Sequence, residues 1–462
     1  MSRPYDFALF GATGFTGQWV AVALARAASS AGRRRYTFAL SGRDERRLRE
    51  VIERVRREVP GADVEAIGIV LADARDSASL LALARSARIV ITTAGPFRLL
   101  GEGLLRACIA EKAHYLDISG EPYFMERMQM ELSAAATAAG VLAVSSAGFD
   151  SIPADCGAEF ALATAREAGG LPVSVESFLT ISGGPAGLAV NFGTFESAVL
   201  GFGSTAALRK LRAGVPPLRM PALGGLPRRH EGLFFEPRMG RWCYPFLGAD
   251  ASVVRRSQRA GIARGTLLAE APHSLTTAAM PALPTPYLCY MTLPSPIAAG
   301  LFLLYGSIFQ ALARWAWGRA LLLAAPGIFT HGLFTRAGPT REQIAGARFE
   351  MTHFVRSFSR ERAAAALERA ALGGAAPQSA PPPDLHTVVR VRGPEPGYDA
   401  TSRILVAAAL TLLEEGSVML AAGGCGAGVH APGNAFSGTQ LIQRLREEGI
   451  SFDVLQRGGP EA

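Results

Sequence analysis

The chain has 462 residues, of which 49% are hydrophobic and 19% are charged. This length predicts two or three domains, and the composition excludes an intrinsically disordered protein. The net charge is +8, carried almost entirely by arginine, and the basic residues form no dense block interleaved with aromatic residues. We therefore expect no nucleic-acid partner, whereas an anionic membrane surface suits such a charge.

The five cysteines are scattered, and none belongs to a C-x-x-C pair. This pattern argues against a disulfide framework and against a zinc site, so we expect no metal and an intracellular, reducing compartment. The N-terminal residues lack a basic segment followed by a long apolar one, so we also expect no signal peptide.

The first 147 residues alternate strand and helix patterns. The strand runs are apolar without clean alternation, which is typical of a parallel sheet covered by helices on both faces. We therefore predict a doubly wound, Rossmann-type α/β domain over residues 1–147. The expected strands are 5–10, 36–41, 64–70, 87–93, 114–119 and 141–146, with helices near 15–28, 44–58, 76–85, 101–111 and 121–139.

After residue 150 this regular alternation is lost, and a second domain is expected over residues 148–462. A region rich in proline, glycine and arginine at 213–247 predicts a loop, and so does GGCGAG at 423–428. The clearer elements expected here are a strand at 173–182, a helix at 193–212, a strand at 348–358, a helix at 401–415 and a final helix and strand over 438–455.

An apolar segment interrupts the second domain. No Asp, Glu, Lys or Arg occurs between 271 and 313. Prolines confine any helix to 297–313, which spans roughly 25 Å, whereas a bilayer core is about 30 Å thick. Trp315 and Trp317 follow, as a headgroup interface favours. Three interpretations remain open for 297–329: buried core helices, a hairpin on a membrane or lipid surface, and a true span.

The turn after the first strand carries three glycines spaced three apart and leads into a predicted helix. Small residues there allow a tight turn, the approach of a pyrophosphate to backbone N–H groups, and close packing of helix on strand. The spacing predicts a dinucleotide-binding turn. The cofactor-binding residues expected in it are Gly11, Thr13, Gly14, Phe15, Thr16 and Gly17.

The end of the second strand indicates which dinucleotide binds. An NAD site normally has an acidic residue there, whereas this strand ends in Ser41, Gly42 and Arg43. Arg43 can pair with a 2′-phosphate and Ser41 can donate to it. Asp44 is expected to cap the next helix. The sequence therefore predicts NADP(H).

Later strand ends face the same crevice. Asp73 is expected either to contact the adenine or to cap the helix near 76. The turn of Ala94, Gly95 and Pro96 is expected to approach the ribose or the nicotinamide.

No catalytic residue can be assigned with the same clarity. Asp150 and Ser151 are candidates for proton transfer, because they lie near the expected mouth of the cofactor site. Glu121 and Asp155 suit helix caps, and His114 suits a structural role. The Tyr-x-x-x-Lys pair, G-x-S-x-G, H-E-x-x-H and Walker motifs do not occur.

Several longer motifs resemble the saccharopine dehydrogenase family, in particular its saccharopine dehydrogenase-like oxidoreductases and the related trans-acting enoyl reductases. This resemblance implies an NADP-binding Rossmann domain, a second α/β domain with a mixed sheet that contacts the substrate, oxidoreductase chemistry, and association with lipid droplets or membranes. The matching motifs are FGATGFTG (10–17), SGR (41–43), AGPF (94–97), YLDISGEPYF (115–124), GFDSIPAD (148–155) and APGNAFSGTQLIQRL (431–445).

We therefore expect an NADP(H)-dependent oxidoreductase that acts on a lipid-derived enoyl or carbonyl substrate at a lipid droplet or membrane surface. The segment 148–155 and the turn at 191–194 are expected to contribute pocket walls. Two alternatives stay open: a catalytically silent NADP-binding scaffold or redox sensor on a lipid surface, and a saccharopine-type amino-acid oxidoreductase. A homodimer is compatible with these expectations.

Overall fold

The structure is a computed structural model that describes residues 3–29, 36–221, 223–270, 272, 275, 279–371 and 382–460. Its first part alternates strands and helices, as the sequence predicts. The elements are β1 (Tyr5–Phe10), α1 (Phe15–Ser29), β2 (Phe38–Gly42), α2 (Glu45–Glu58), β3 (Gly68–Leu71), α3 (Ser77–Ser86), β4 (Ala87–Thr92), α4 (Phe97–Ala110), β5 (His114–Asp117), α5 (Pro122–Ala139), β6 (Leu142–Val144) and α6 (Ile152–Glu167).

The remainder of the chain is less regular. Its elements are β7 (Leu171–Ser182), β8 (Val190–Asn191), α7 (Phe192–Gly203), α8 (Thr205–Ala213), β9 (Phe234–Glu236), β10 (Arg241–Pro245), α9 (Asp250–Ala263), β11 (Tyr287–Leu293), α10 (Pro296–Ala313), α11 (Ala316–Ala324), α12 (Pro326–Phe329), β12 (Phe334–Thr335), α13 (Arg341–Gly346), β13 (Arg348–Phe358), α14 (Arg360–Ala371), β14 (Leu385–Pro394), α15 (Thr401–Leu420), β15 (Gly428–His430), α16 (Pro432–Ala435), α17 (Leu441–Glu447) and β16 (Ser451–Gln456).

The first sheet has seven parallel strands in the order β15-β6-β5-β4-β1-β2-β3. Successive residues of β1 bury on opposite faces: Phe7 and Leu9 pack in a cluster with α1, α2 and α15, while Ala8 and Phe10 pack with α3 and α4. Both faces are therefore covered, which explains the continuous apolar strands and confirms the doubly wound fold.

The strand at one edge of this sheet comes from far along the chain. Gly428–His430 pairs in parallel with Leu142–Val144, so the strand begins on the last residue of the loop expected at 423–428. This strand lies outside the range 1–147 that the sequence indicates for the first domain, because a run of three residues carries no recognisable period.

The second sheet is mixed, with the order β16-β14-β13-β7-β11-β10-β9. Strand β7 runs antiparallel to β13 and parallel to β11, and helix α6 packs on the sheet. The strands expected at 173–182 and 348–358 are confirmed. The loop expected over 213–247 is wrong in part, because β9 and β10 pair there as an antiparallel hairpin.

Two other expectations need correction. The strand expected at 64–70 is shorter: Val64–Ala66 forms a 3₁₀ turn, and pairing begins at Gly68. The single helix expected over 193–212 is two helices, α7 and α8, that meet at Ser204.

The apolar segment forms a helical hairpin on the surface. Pro296 starts α10 and the Ser295 hydroxyl accepts a hydrogen bond from the amide of Ala298 (3.1 Å), which is a regular N-cap. Only Ala299 and Ala313 of α10 are buried. The side chain of Ile297 is 76% exposed, so the interpretation of a buried core helix is wrong. Within the described residues, α10 alone is long and apolar enough to cross a membrane.

Candidate active site

A cavity of about 610 Å³ lies between the carboxyl ends of the first sheet's strands and helix α7. This size is typical of a small-molecule site. Of the sequence-predicted site residues, it brings together Gly14, Phe15, Thr16, Gly95 and Asp150. The remaining predicted site residues do not line it: Gly11, Thr13, Gly17, Ser41, Arg43, Asp73, Ala94, Pro96 and Ser151.

The three glycines of the first turn differ in what a side chain would meet at each position. Gly11 has φ of +82°, and a Cβ there would lie 2.9 Å from the amide nitrogen of Ala94. A Cβ on Gly17 would lie 2.2 Å from the carbonyl oxygen of Gly11, so only glycine lets α1 pack on the turn. A Cβ on Gly14 meets only that same oxygen, at 3.2 Å, and otherwise faces the cavity.

The N-terminus of α1 is open toward this cavity. The amides of Phe15 and Thr16 donate no backbone hydrogen bond within the described residues, and the first turn carries no acidic residue. Free amides and the positive end of the helix dipole both favour an anion. The turn therefore fits a pyrophosphate.

The end of β2 supports the turn and offers a free cation. The carbonyl of Ser41 accepts from the amides of Gly11 (3.0 Å) and Ala12 (3.2 Å), and the Ser41 hydroxyl is buried without a partner among the described residues. Arg43 is exposed and makes no ion pair with a described residue. Asp44 caps α2 by accepting from the amide of Arg47 (3.1 Å), as predicted.

Thr13 and Asp73 lie beside these groups. The carbonyl of Thr13 accepts from the side-chain amide of Gln18 at 3.3 Å. Asp73 does not cap α3, because Asp76 does so by accepting from the amide of Ala78 (3.0 Å). The carboxylate of Asp73 instead accepts from the amide of Arg75 within the preceding turn (2.9 Å).

The turn after β4 is fixed to the glycine turn. The amide of Thr93 donates to the carbonyl of Phe10 (3.0 Å), and its hydroxyl donates to the carbonyl of Gly11 (3.2 Å). Ala94 thereby lies directly against Gly11, and Pro96 occupies the N-cap of α4.

The side chain of Glu121 caps α4, although Glu121 itself lies at the start of α5. Its carboxylate accepts from the amides of Phe97 (2.8 Å) and Arg98 (3.1 Å) at the start of α4. Burial raises the pKa of this carboxyl, while the two amide donors oppose the shift. Glu121 therefore joins α4 to the start of α5 at the cavity wall.

Asp150 faces the cavity beside Gly120. A Cβ added to Gly120 would lie 2.9 Å from the Oδ2 atom of Asp150. Burial raises the pKa of Asp150 to about 6. A carboxyl with such a pKa can exchange a proton near neutral pH. Ser151, the other candidate, is fully buried at the N-cap of α6 and does not line the cavity.

Tyr398 lines the cavity, although no sequence motif identified above includes it. Its hydroxyl accepts from the amide of Asn191 (2.6 Å), so it positions the start of α7, and burial raises its pKa to about 12. The preceding Glu395 accepts from three successive amides, including that of Tyr398 (2.8 Å). The Glu-Pro-Gly-Tyr sequence was the available signal for this ordered turn.

Two other predicted residues have structural roles. His114 accepts from the amide of Leu142 through Nδ1 (3.0 Å), and burial lowers its pKa to about 4, so it is neutral. Asp155 accepts from the Ser257 hydroxyl (2.6 Å) and the Gly433 amide (2.7 Å), which ties α6 to α9 and α16. Within the described part of the chain, no group of three or more His, Cys, Asp or Glu could hold a metal ion.

Comparisons with known proteins agree with this geometry. The family model described as "Saccharopine dehydrogenase NADP binding domain" matches residues 7–144. NADP(H) is therefore the cofactor that the first domain binds, in keeping with the free amides, the glycine turn and Arg43. The fold resembles that of saccharopine dehydrogenase (L-Glu forming) from Saccharomyces cerevisiae, with a TM-score of 0.51, 11% identity, and coverage of 98% of this chain and 100% of that chain.

Two curated relatives match nearly the whole chain, and a third matches about a third of it. The human saccharopine dehydrogenase-like oxidoreductase is 36% identical over 98% of both chains, and the "Lipid droplet localized protein" of Caenorhabditis elegans is 31% identical over 98% of this chain and 99% of its own. A putative trans-acting enoyl reductase of Mycobacterium tuberculosis is 37% identical over 36% of this chain and 38% of its own. The chain belongs to the saccharopine dehydrogenase-like oxidoreductase family.

Proposed function

We propose that the protein is an NADPH-dependent reductase of the enoyl or carbonyl group of a lipid-derived substrate, working at a lipid droplet or membrane surface. The observation that carries this proposal is the cavity itself. It joins the glycine turn of the NADP-binding domain, the carboxyl of Asp150 and the wall of α7, and it lies next to an exposed apolar hairpin.

The chain's own groups account for cofactor binding. The amides of Phe15 and Thr16 would hold the pyrophosphate, and Ser41 and Arg43 would hold the 2′-phosphate. The turn at 94–96 would lie along the ribose and nicotinamide. When bound, NADPH supplies a hydride to the electron-poor carbon of the substrate.

Asp150 would supply the proton that completes the reduction. Its protonated form can donate to the carbon or oxygen that becomes electron-rich as hydride arrives, leaving the carboxylate to be reprotonated from solvent. Asp150 and Glu121 are the two carboxyls that line the cavity. Glu121 is engaged by two helix amides, so Asp150 is the better donor.

The hairpin supports the location at a lipid surface. Leu304 of the hairpin is 55% exposed and Trp317 is 64% exposed. Together these side chains form an apolar surface larger than that of a single exposed leucine. Arg314 is exposed next to Trp315 and Trp317, an arrangement suited to anionic headgroups. The name of the C. elegans relative agrees with such a location.

A saccharopine-type reaction fits this cavity less well. Binding a dicarboxylic amino acid needs several cations, whereas Arg98 is the one cation among the residues that line the cavity. The guanidinium of Arg98 is already bound to the carbonyl of Leu200 (2.7 Å) and to the hydroxyl of Ser204.

The test is NADPH oxidation with enoyl and carbonyl lipids presented in phospholipid-coated triglyceride droplets. We expect turnover, and we expect the Ile297→Asp, Leu304→Asp double variant to lose droplet binding while Leu71→Asp, at another exposed leucine, retains it. NADPH binding without turnover of any lipid would instead identify a cofactor-binding scaffold. Turnover with unchanged droplet binding of the double variant would refute the lipid-surface role of α10.

A further inference from the structure

We infer that the wall formed by α7 and α8 is a groove for one long acyl chain of the substrate, which leaves the cavity beside the apolar hairpin. This inference rests on the proposed function and adds that the substrate carries one long acyl chain. The reacting group would lie near Asp150 and the chain would extend along α7 toward α10.

The cavity-facing side of α7 carries small side chains at helical spacing. Its lining residues include Gly193, Thr194, Ser197, Ala198 and Gly201. From the first to the last of these the helix rises roughly 12 Å, at 1.5 Å per residue. Between Gly193 and Gly201 no lining side chain is larger than threonine, so this part of the helix leaves a narrow channel.

Gly201 has no reason in the fold to be glycine. A Cβ built there meets no heavy atom within 4 Å, and its φ is not in the left-handed region. Glycine inside a helix costs roughly 0.5–1 kcal/mol relative to alanine. The open space at Gly201 belongs to the cavity, so an acyl chain has room to pass over this point.

The opposite side of α7 is held firmly. Phe195 and Val199 are buried in a cluster with Ala313 of α10 and Leu322 of α11. At the far end, the guanidinium of Arg98 binds the carbonyl of Leu200 (2.7 Å). The groove wall is therefore packed in place before any chain binds.

The two ends of the groove differ in chemistry. Asn191, at the start of α7, lies against Tyr398 near the glycine turn, so this end meets the cofactor. The other end is lined by Phe202, Leu208 and Leu247, and Leu247 is 55% exposed. The chain would therefore run from a polar reacting end to an apolar mouth.

The mouth adjoins the hairpin. The ring of Phe202 lies 5.1 Å from that of Phe309 in α10, in an edge-to-face contact. Near Leu247, the ring of Tyr244 lies 5.2 Å from that of Phe302, also in α10. A chain that leaves the mouth reaches the inner side of α10, whose outer side is apolar and exposed.

The test is binding of the fluorescent polyene fatty acid cis-parinaric acid to the full-length, NADPH-loaded protein. We expect saturable binding that weakens at least tenfold in Gly201→Leu and in Ala198→Leu, two variants that fill the same groove one turn apart. Ala207→Leu, an exposed residue of α8 off the cavity wall, is the matched control and should bind as the wild type does. Thermal melting of all three variants verifies that they are folded.

Wild-type binding that both groove variants leave unchanged, or no binding by the wild type, would overturn the inference. A second assay, the reduction of a short butenoyl thioester, distinguishes failure of the groove inference from failure of the proposed function. If the short substrate is reduced but no chain binds, only the groove is wrong. If the chain binds at Gly201 but no lipid is reduced, only the proposed reaction is wrong.

Discussion

The ring of Phe15 lies edge-on against the ring of Tyr398, with 4.6 Å between the centroids and 70° between the planes. Phe15 belongs to the glycine turn, and Tyr398 precedes α15, almost 400 residues further along the chain. The Tyr398 hydroxyl also accepts from the amide of Asn191. One side chain therefore positions both the cofactor turn and the start of α7.

Tyr398→Phe should keep the ring contact but leave the amide of Asn191 without its acceptor, at a cost of about 1 kcal/mol in the free energy of unfolding. Tyr398→Ala should cost about 3 kcal/mol or more and weaken NADPH binding, because the support of Phe15 is lost. Urea unfolding and NADPH titration distinguish the two variants. Equal effects of both would show that the ring contact contributes nothing.

Arg43→Ala should weaken NADPH binding roughly 10- to 100-fold while changing NADH binding little, because only NADPH carries the 2′-phosphate that a charge-assisted bond would hold. Fluorescence titration with each cofactor measures the difference. The matched control is Arg46→Ala, whose guanidinium pairs with Glu50 (3.4 Å) on the exposed side of α2. Loss of NADPH and NADH affinity in equal measure would refute the assignment of Arg43.

Two glycines of the same turn should respond differently to alanine. Gly17→Ala places a Cβ 2.2 Å from the carbonyl oxygen of Gly11, so we expect a loss of stability of about 1–3 kcal/mol, with a lowered melting temperature. Gly14→Ala meets the same oxygen at 3.2 Å and otherwise fills cavity space. It should melt close to wild type and lose NADPH affinity. The reverse pattern in melting and titration would contradict this division of roles.

Asp150→Asn should lower kcat by a factor of about 10²–10⁴ and leave the dissociation constant of NADPH unchanged, since the amide cannot donate an acidic proton. In the wild type, burial raises the pKa of Asp150 to about 6. A proton donor is lost as it ionises, so kcat should fall as the pH rises through about 6. A variant that keeps this inflection would exclude Asp150 as the donor.

Asp250 should make stability depend on pH. Burial, followed by the charge of Asp150, raises its pKa to about 7, above the ordinary value near 4. The folded protein therefore binds more protons between about pH 4 and 7, and the free energy of unfolding should fall across that window by up to about 1.4 kcal/mol per pH unit. In Asp250→Asn, the difference in the free energy of unfolding between about pH 5 and about pH 8, measured by urea unfolding, should be smaller than in the wild type. An unchanged slope would contradict the shift.

The sequence predicted the first sheet and the cofactor turn well because both depend on local patterns. A few neighbouring residues are enough to identify each of these features: the apolar strands, the glycines at 11, 14 and 17, and the cap at Asp44. The NADP-binding role of that domain is confirmed by the family match, whereas the roles of individual residues stay predictions.

What the sequence did not predict depends on contacts between distant residues. Gly428–His430 is a strand only because β6 offers it a free edge. The β9–β10 hairpin forms in a region whose composition is typical of loops. Tyr398 reaches the cavity because Glu395 fixes its turn and Phe15 packs against it. None of these pairings leaves a periodic signal in the chain.

The seventh strand of the first sheet also has a consequence for synthesis. On the ribosome, β6 is synthesised about 285 residues before the β15 strand that pairs with it. At about 5–20 residues per second, the edge of β6 therefore stays unpaired for roughly 15–55 s, and α15, which covers one face of the sheet, is also synthesised late. Because an unpaired strand edge can template aggregation, the first sheet is exposed to it during that time.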